Sequence, residues 1–136
     1  MVQLGSGSGP HLVLFFDTWE TEVADLTAQL QALNGYDAAA KRQGLPPLVA
    51  VDEGKVESSP QALPSLLHSL PHPLSYPVAV DVSGRVADGY RVQDSPWLEL
   101  VSGSGRFLFY EDLADGWPTL PQLLRKVHAA LARAKG

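Results

Sequence analysis

The chain contains no cysteine. That absence excludes disulfides, thiolate metal sites and cysteine nucleophiles. It fits any redox compartment, so it says nothing of location. Positive charge is also short: ten Lys and Arg stand against fifteen Asp and Glu, for a net charge of −5. No basic footprint for nucleic acid results. No apolar run approaches the roughly 20 residues a membrane span needs. No charged n-region followed by an apolar h-region marks a signal peptide. The histidines, His11, His68, His72 and His128, are scattered over different expected elements. Pro71 breaks any helix between His68 and His72, so no metal site is expected, and no cofactor.

What is present is an ordinary globular composition: 136 residues, 45% hydrophobic and 18% charged. That length allows one sizeable core. Residues 1–9 belong to a Gly/Ser-rich start, MVQLGSGSGP. It reads equally as a cloning remnant, an interdomain linker or a native polar lead-in. The domain is expected over residues 10–136.

Hydrophobic patterning gives an element order. His11–Asp17 is an apolar run expected as a strand buried on both faces. Val23, Leu26, Leu30 and Leu33 fall at helical spacing over Thr21–Leu33, with Glu20, Glu22 and Asp25 at the favourable end of the helix dipole. Asn34-Gly35 is the expected stop, and Tyr36–Gln43 could add a further turn or two. Leu48–Val51 is a second buried strand. Ser58-Ser59-Pro60 signals a helix start ahead of Leu63, Leu66, Leu67 and Leu70, with Pro71 and Pro73 ending that helix. Pro77–Asp81 is a short strand and Ser83–Tyr90 a short helix. Trp97–Val101 and Arg106–Glu111 flank Ser102-Gly103-Ser104-Gly105, a hairpin signal. Thr119 and Gln122 form a capping box for a last helix striped by Leu120, Leu123, Leu124, Val127 and Leu131. Alternating strands and helices predict an α/β fold, a central mixed sheet with helices on both faces.

This order, with three local matches, resembles the thioredoxin fold in its TlpA/ResA-like thiol–disulfide oxidoreductase (redoxin) form. LVLFFDTWETEVADL, Leu12 to Leu26, is similar to that family's first strand, its aromatic pair, its Thr-Trp lead-in and its active-site helix. VAVDVSGRVADGYRV, Val78 to Val92, resembles its short strand, D-x-x-G-x-V-A turn and Tyr-x-Val. Ser95-Pro96 stands at the place of its cis-proline, and LELVSGSGRFLF resembles its hairpin. The likeness spans residues 10–132.

The departures carry the functional content. The family's Cys-x-x-Cys follows the tryptophan, and here Glu20 and Val23 stand at those two positions. Exchange needs a thiolate, so Glu20 cannot attack a disulfide and Val23 cannot resolve one. Many thioredoxins also bury a proton-relaying carboxylate six residues before the first cysteine. That position is Leu14, which fits a site without a relay. Glu20 and Glu22 read best as helix-start carboxylates: they lie two apart, face different ways and have no His or Ser nearby. Asp52-Glu53 follows a strand end, where α/β folds place ligands, and reads as a solvated loop. Glu111 to Asp115, with Gly116 and Trp117, reads as a polar connection.

The resemblance implies a surface at Trp19, Ser95, Pro96 and Trp97 that takes an extended polypeptide beside the proline. Its plain alternative is that both tryptophans simply pack. The expected role is therefore a non-catalytic protein- or peptide-binding domain. The alternative is an accessory domain of a larger thiol–disulfide oxidoreductase whose cysteines lie outside this chain. The resembled family often works outside the cytoplasm.

Overall fold

A computed structural model of the chain describes residues 9–16, 26–52, 62–80, 96–104, 106–113 and 116–135. Among the described residues five strands and three helices follow one another: β1 (His11–Phe16), α1 (Leu26–Gln43), β2 (Leu48–Asp52), α2 (Ala62–Ser69), β3 (Val78–Val80), β4 (Trp97–Val101), β5 (Phe107–Asp112) and α3 (Leu120–Lys135). The expected Ser83–Tyr90 helix and the Ser58-Ser59-Pro60 start lie outside the described residues.

The strands form one sheet in the order β3-β2-β1-β4-β5. β1, β2 and β3 run parallel; β4 is antiparallel to β1, and β5 to β4. α1 and α2 bury side chains in the same core, on one face of the sheet, as the rule of right-handed crossovers expects for parallel strands added in one direction. Leu12, Leu14 and Phe16 of β1, Leu48 and Ala50 of β2, and Leu98 and Leu100 of β4 point to that face. They meet Leu26, Leu30, Leu33, Tyr36 and Ala40 of α1, Leu66 of α2, and Leu123, Val127 and Ala130 of α3. Each fully buried Leu or Val there contributes about 1.5–3 kcal/mol.

α1 departs from expectation. It does not stop at Asn34-Gly35 but continues unbroken to Gln43. Both residues are used for tertiary contacts instead. A Cβ on Gly35 would sit 3.1 Å from Leu120 Cδ2, so glycine there lets α1 and α3 approach closely. Asn34 Oδ1 accepts from Ser75 N at 2.8 Å, and its amide donates to Pro73 O at 3.2 Å. The real stop is Gly44, at φ 67°, with Leu45 N donating back to Ala40 O at 3.0 Å. A left-handed residue after the last turn suits glycine.

Buried polar groups near this helix are satisfied. Tyr36 donates to Pro46 O at 2.8 Å, and Tyr76 donates to Leu30 O. Burial first, and the Asp37 charge second, push both phenols above the ordinary tyrosine range, so both stay neutral donors. Asp37 accepts from Ser75 Oγ at 2.8 Å and pairs with Lys41 at 2.9 Å.

The local signals at the C-terminal half hold. Ser102 N donates to Arg106 O at 2.8 Å, and Ser102 Oγ accepts from Arg106 N at 2.9 Å, closing the hairpin. Thr119 N donates to Gln122 Oε1 at 2.9 Å, and Gln122 N donates to Thr119 Oγ1 at 3.3 Å: the reciprocal capping box. Pro64 and Pro121 both fall in first turns, where a missing N–H costs nothing.

Candidate functional site

The family's redox positions, Glu20 and Val23, lie outside the described residues, as do Trp19 and Ser95. Of the expected binding surface the structure places Pro96 and Trp97. Both are buried. Pro96 O accepts from Leu113 N at 2.9 Å, which ties the exit of β5 to the entry of β4.

Trp97 is 4% exposed. Its indole N–H donates to Glu99 Oε1 at 2.7 Å. Its ring stacks on Tyr110, with centroids 4.8 Å apart and planes 5° from parallel. Tyr110 is 64% exposed, so it screens Trp97 and offers the outer aromatic surface of the pair.

Glu99 is 3% exposed and lies two residues along β4, on the same face as Trp97. That face is opposite to the one carrying Leu98 and Leu100. Desolvation pushes its carboxyl up to about 7, against the stabilising hydrogen bond from Trp97. Oε2 has no hydrogen-bond partner among the described residues. Glu99 was not singled out from sequence. The available signal was an acid at the centre of a five-residue β run, WLELV, in a sheet expected to be covered on both sides.

Leu14 is fully buried and apolar, as expected at the relay position. A buried acid nevertheless stands close by. Asp52 ends β2, is fully buried, and pairs with Phe16 of β1. Strand alternation puts it on the face of Leu48 and Ala50. The expectation that Asp52 belongs to a solvated loop is therefore corrected. β2 extends one residue further than its apolar run, and the carboxylate goes inside with it.

Trp117 is the residue that the sequence reading passed over as part of a polar connection. It is half-buried and packs against the main core. With Leu33, Leu98, Leu120 and Leu123 it lines a small cavity of 40 Å³ between α1 and the start of α3. It also lines a larger open groove of 570 Å³ beside β5 and α3. Among the described residues no cluster of His, Asp and Glu is arranged to hold a metal, and no helix is long and apolar enough to cross a membrane.

No family model matches the chain, and no curated protein matches it in sequence. Solved structures do match. StoA from Bacillus subtilis superposes with a TM-score of 0.70 at 18% identity, over 91% of this chain and 84% of that one. A putative thiol:disulfide interchange protein DsbE from Chlorobium tepidum gives 0.68 at 22% identity, over 93% and 81%. The reduced N-terminal domain of PilB from N. meningitidis gives 0.68 at 19%, over 91% and 82%. The mixed sheet with its helices is thus a thioredoxin-like fold, shared with thiol–disulfide oxidoreductases of the DsbE type, in a chain that has no cysteine.

Proposed function

We propose that the chain is a non-catalytic protein- or peptide-binding domain, a thioredoxin-like frame from which thiol exchange has gone. The observation that carries this is the missing cysteine, set in a frame otherwise kept across nearly its whole length. Without a thiolate no mixed disulfide can form, so the fold's other capacity, holding an extended polypeptide, is what is left. The binding surface is the one that the resemblance assigns to Trp19, Ser95, Pro96 and Trp97. Trp97 serves there as a rigid backing fixed by Glu99 and Tyr110 rather than as a free anchor.

The test is a titration of the isotope-labelled chain with a permanently unfolded, carboxamidomethylated α-lactalbumin, read at the three indole N–H signals. Saturable shifts at Trp19 and Trp97 are expected. Absence of binding, or saturation that leaves both signals in place, refutes the proposal.

The second reading, an accessory domain of a larger thiol–disulfide oxidoreductase, has one observation in its favour. One structural neighbour is itself the N-terminal domain of a larger protein. A full-length gene product whose flanking segments contain no cysteine removes that reading.

A further inference from the structure

Asn34 is the single asparagine of the chain, and a glycine follows it. That pair carries the parts of a reaction of the chain with itself. The peptide nitrogen of Gly35 can bond to Asn34 Cγ, since glycine has no Cβ in the way and the freest backbone. A solvent base takes the proton of that nitrogen, the Cγ–Nδ2 bond breaks, and Nδ2 leaves as ammonia. The product is a five-membered succinimide. Water then adds to one of its two carbonyl carbons, and the bond from that carbon to nitrogen breaks. Opening at Cγ gives aspartate. Opening at the main-chain carbonyl gives isoaspartate, whose backbone runs through Cγ and is longer by one carbon. Neither step oxidises or reduces anything.

The folded chain holds each participant away from this reaction. Asn34 lies in the interior of α1, between buried Leu33 and Tyr36. The helix bonds the Gly35 N–H to Gln31 O, and helical ψ at Asn34 turns that nitrogen away from Cγ. The side chain is held at both ends. Nδ2, the leaving group, donates to Pro73 O at 3.2 Å. Oδ1 accepts from Ser75 N at 2.8 Å and from Ser75 Oγ at 3.1 Å.

Neither product can rebuild this arrangement. A carboxylate at position 34 has no N–H for Pro73 O. It also sets a second negative charge three residues before the buried Asp37, on the same side of the helix. Ser75 Oγ has one proton, and it already donates to Asp37 at 2.8 Å. Isoaspartate inserts a backbone atom inside α1, which takes Tyr36, Ala39 and Ala40 out of register with the face they bury.

We propose that Asn34-Gly35 is a self-modification site, closed by α1 and by the Ser75 strap in the folded chain and open in the unfolded one. Its substrate is the chain itself and its co-reactant is water. Conversion during an unfolded interval makes that unfolding irreversible.

The test holds the whole chain at mildly alkaline pH, folded in buffer or unfolded in guanidinium chloride. Peptide mapping follows the mass gain of amide-to-acid conversion at Asn34. The unfolded chain is expected to convert roughly 100-fold faster or more. Gly35→Ala should slow the unfolded rate roughly ten-fold. Ser75→Ala, checked for folding by circular dichroism, should raise the folded rate roughly five-fold and leave the unfolded rate unchanged. Converted chains, separated by ion exchange, should refold to a lower unfolding midpoint or not at all. The proposal is overturned by folded and unfolded rates within about three-fold of each other, by a folded rate indifferent to Ser75→Ala, by an unfolded rate indifferent to Gly35→Ala, or by converted chains that regain the original midpoint. The wild-type and Gly35→Ala measurements decide it even where Ser75→Ala does not fold.

Discussion

The two faces of the sheet bury their acids in different ways. The helix-covered face is a close-packed apolar layer from Leu12 to Ala130, and its carboxylate, Asp52, sits at the very end of a strand. The opposite face carries Val13, Phe15, Val49, Val51 and Val101, all nearly inaccessible. It holds Glu99 in mid-strand between Trp97 and Val101, and it opens to solvent at Phe107 and Tyr110. The first face tolerates charge only at its rim. The second accommodates a carboxylic acid inside by keeping it close to neutral and giving it an indole N–H. The interior of this cysteine-free chain is thus not uniformly apolar. Its buried acids include Asp52 and Glu99, and neither is at position 14.

The largest expected effect breaks the first face. Leu14→Asp puts a carboxylate between its apolar cross-strand partners Ala50 and Leu98, and should cost on the order of 4 kcal/mol or prevent folding. Urea unfolding measures it. A loss below about 1 kcal/mol would mean that this face can host the relay acid after all.

The next prediction concerns the second face and pH. Below about pH 4.5 Glu99 is protonated whether the chain is folded or not. As pH rises from there to about 7, the unfolded chain releases a proton that the folded one keeps, so stability falls through this window. The decline attributable to Glu99 should be about 2–3 kcal/mol. Glu99→Gln keeps an acceptor for Trp97 and should flatten it. Unfolding midpoints at acid and neutral pH, compared between the two proteins, decide the matter.

Tyr110→Ala removes the stacked partner of Trp97 and should cost about 1 kcal/mol, with Trp97 emission shifting to the red as water reaches it. The smallest effect returns to the first face. Gly35→Ala gains helix propensity, but its Cβ crowds the tip of Leu120, which is 38% exposed and can rotate away. Thermal unfolding should show a rise of a few tenths of a kcal/mol. A clear loss would mean that the α1–α3 contact is stiffer than Leu120's exposure implies.

Much of the fold was legible because its signals are local. The buried runs of β1 and β2, the hairpin around Ser102-Gly103, and the Thr119–Gln122 capping box each need only neighbouring residues to be read. What misled was local chemistry used at a distance. Asn34-Gly35 has the composition of a helix stop, yet its partners are Ser75, Pro73 and Leu120, which no window around it contains. The site was less legible for the same reason. Trp97 and Pro96 were found by resemblance, but the burial of Trp97 and the inward aim of Glu99 depend on strand pairing. Trp117 looked like part of a loop because the elements it packs between are α1 and α3, brought together only by the sheet.

The side chains along α1 have one more consequence. Gln31 donates to His72 O, Asn34 to Pro73 O, and Asn34 and Asp37 both receive Ser75, while Tyr76 reaches back to Leu30. Four residues of connecting chain, His72, Pro73, Ser75 and Tyr76, are thereby laid out along the helix just before β3. That strand has three described residues and, among the described residues, pairs with β2 alone, so its own ladder is a weak anchor. α1 acts as a jig that sets where the chain re-enters the sheet. A substitution on the exposed side of α1 would then be felt at the far margin of the sheet.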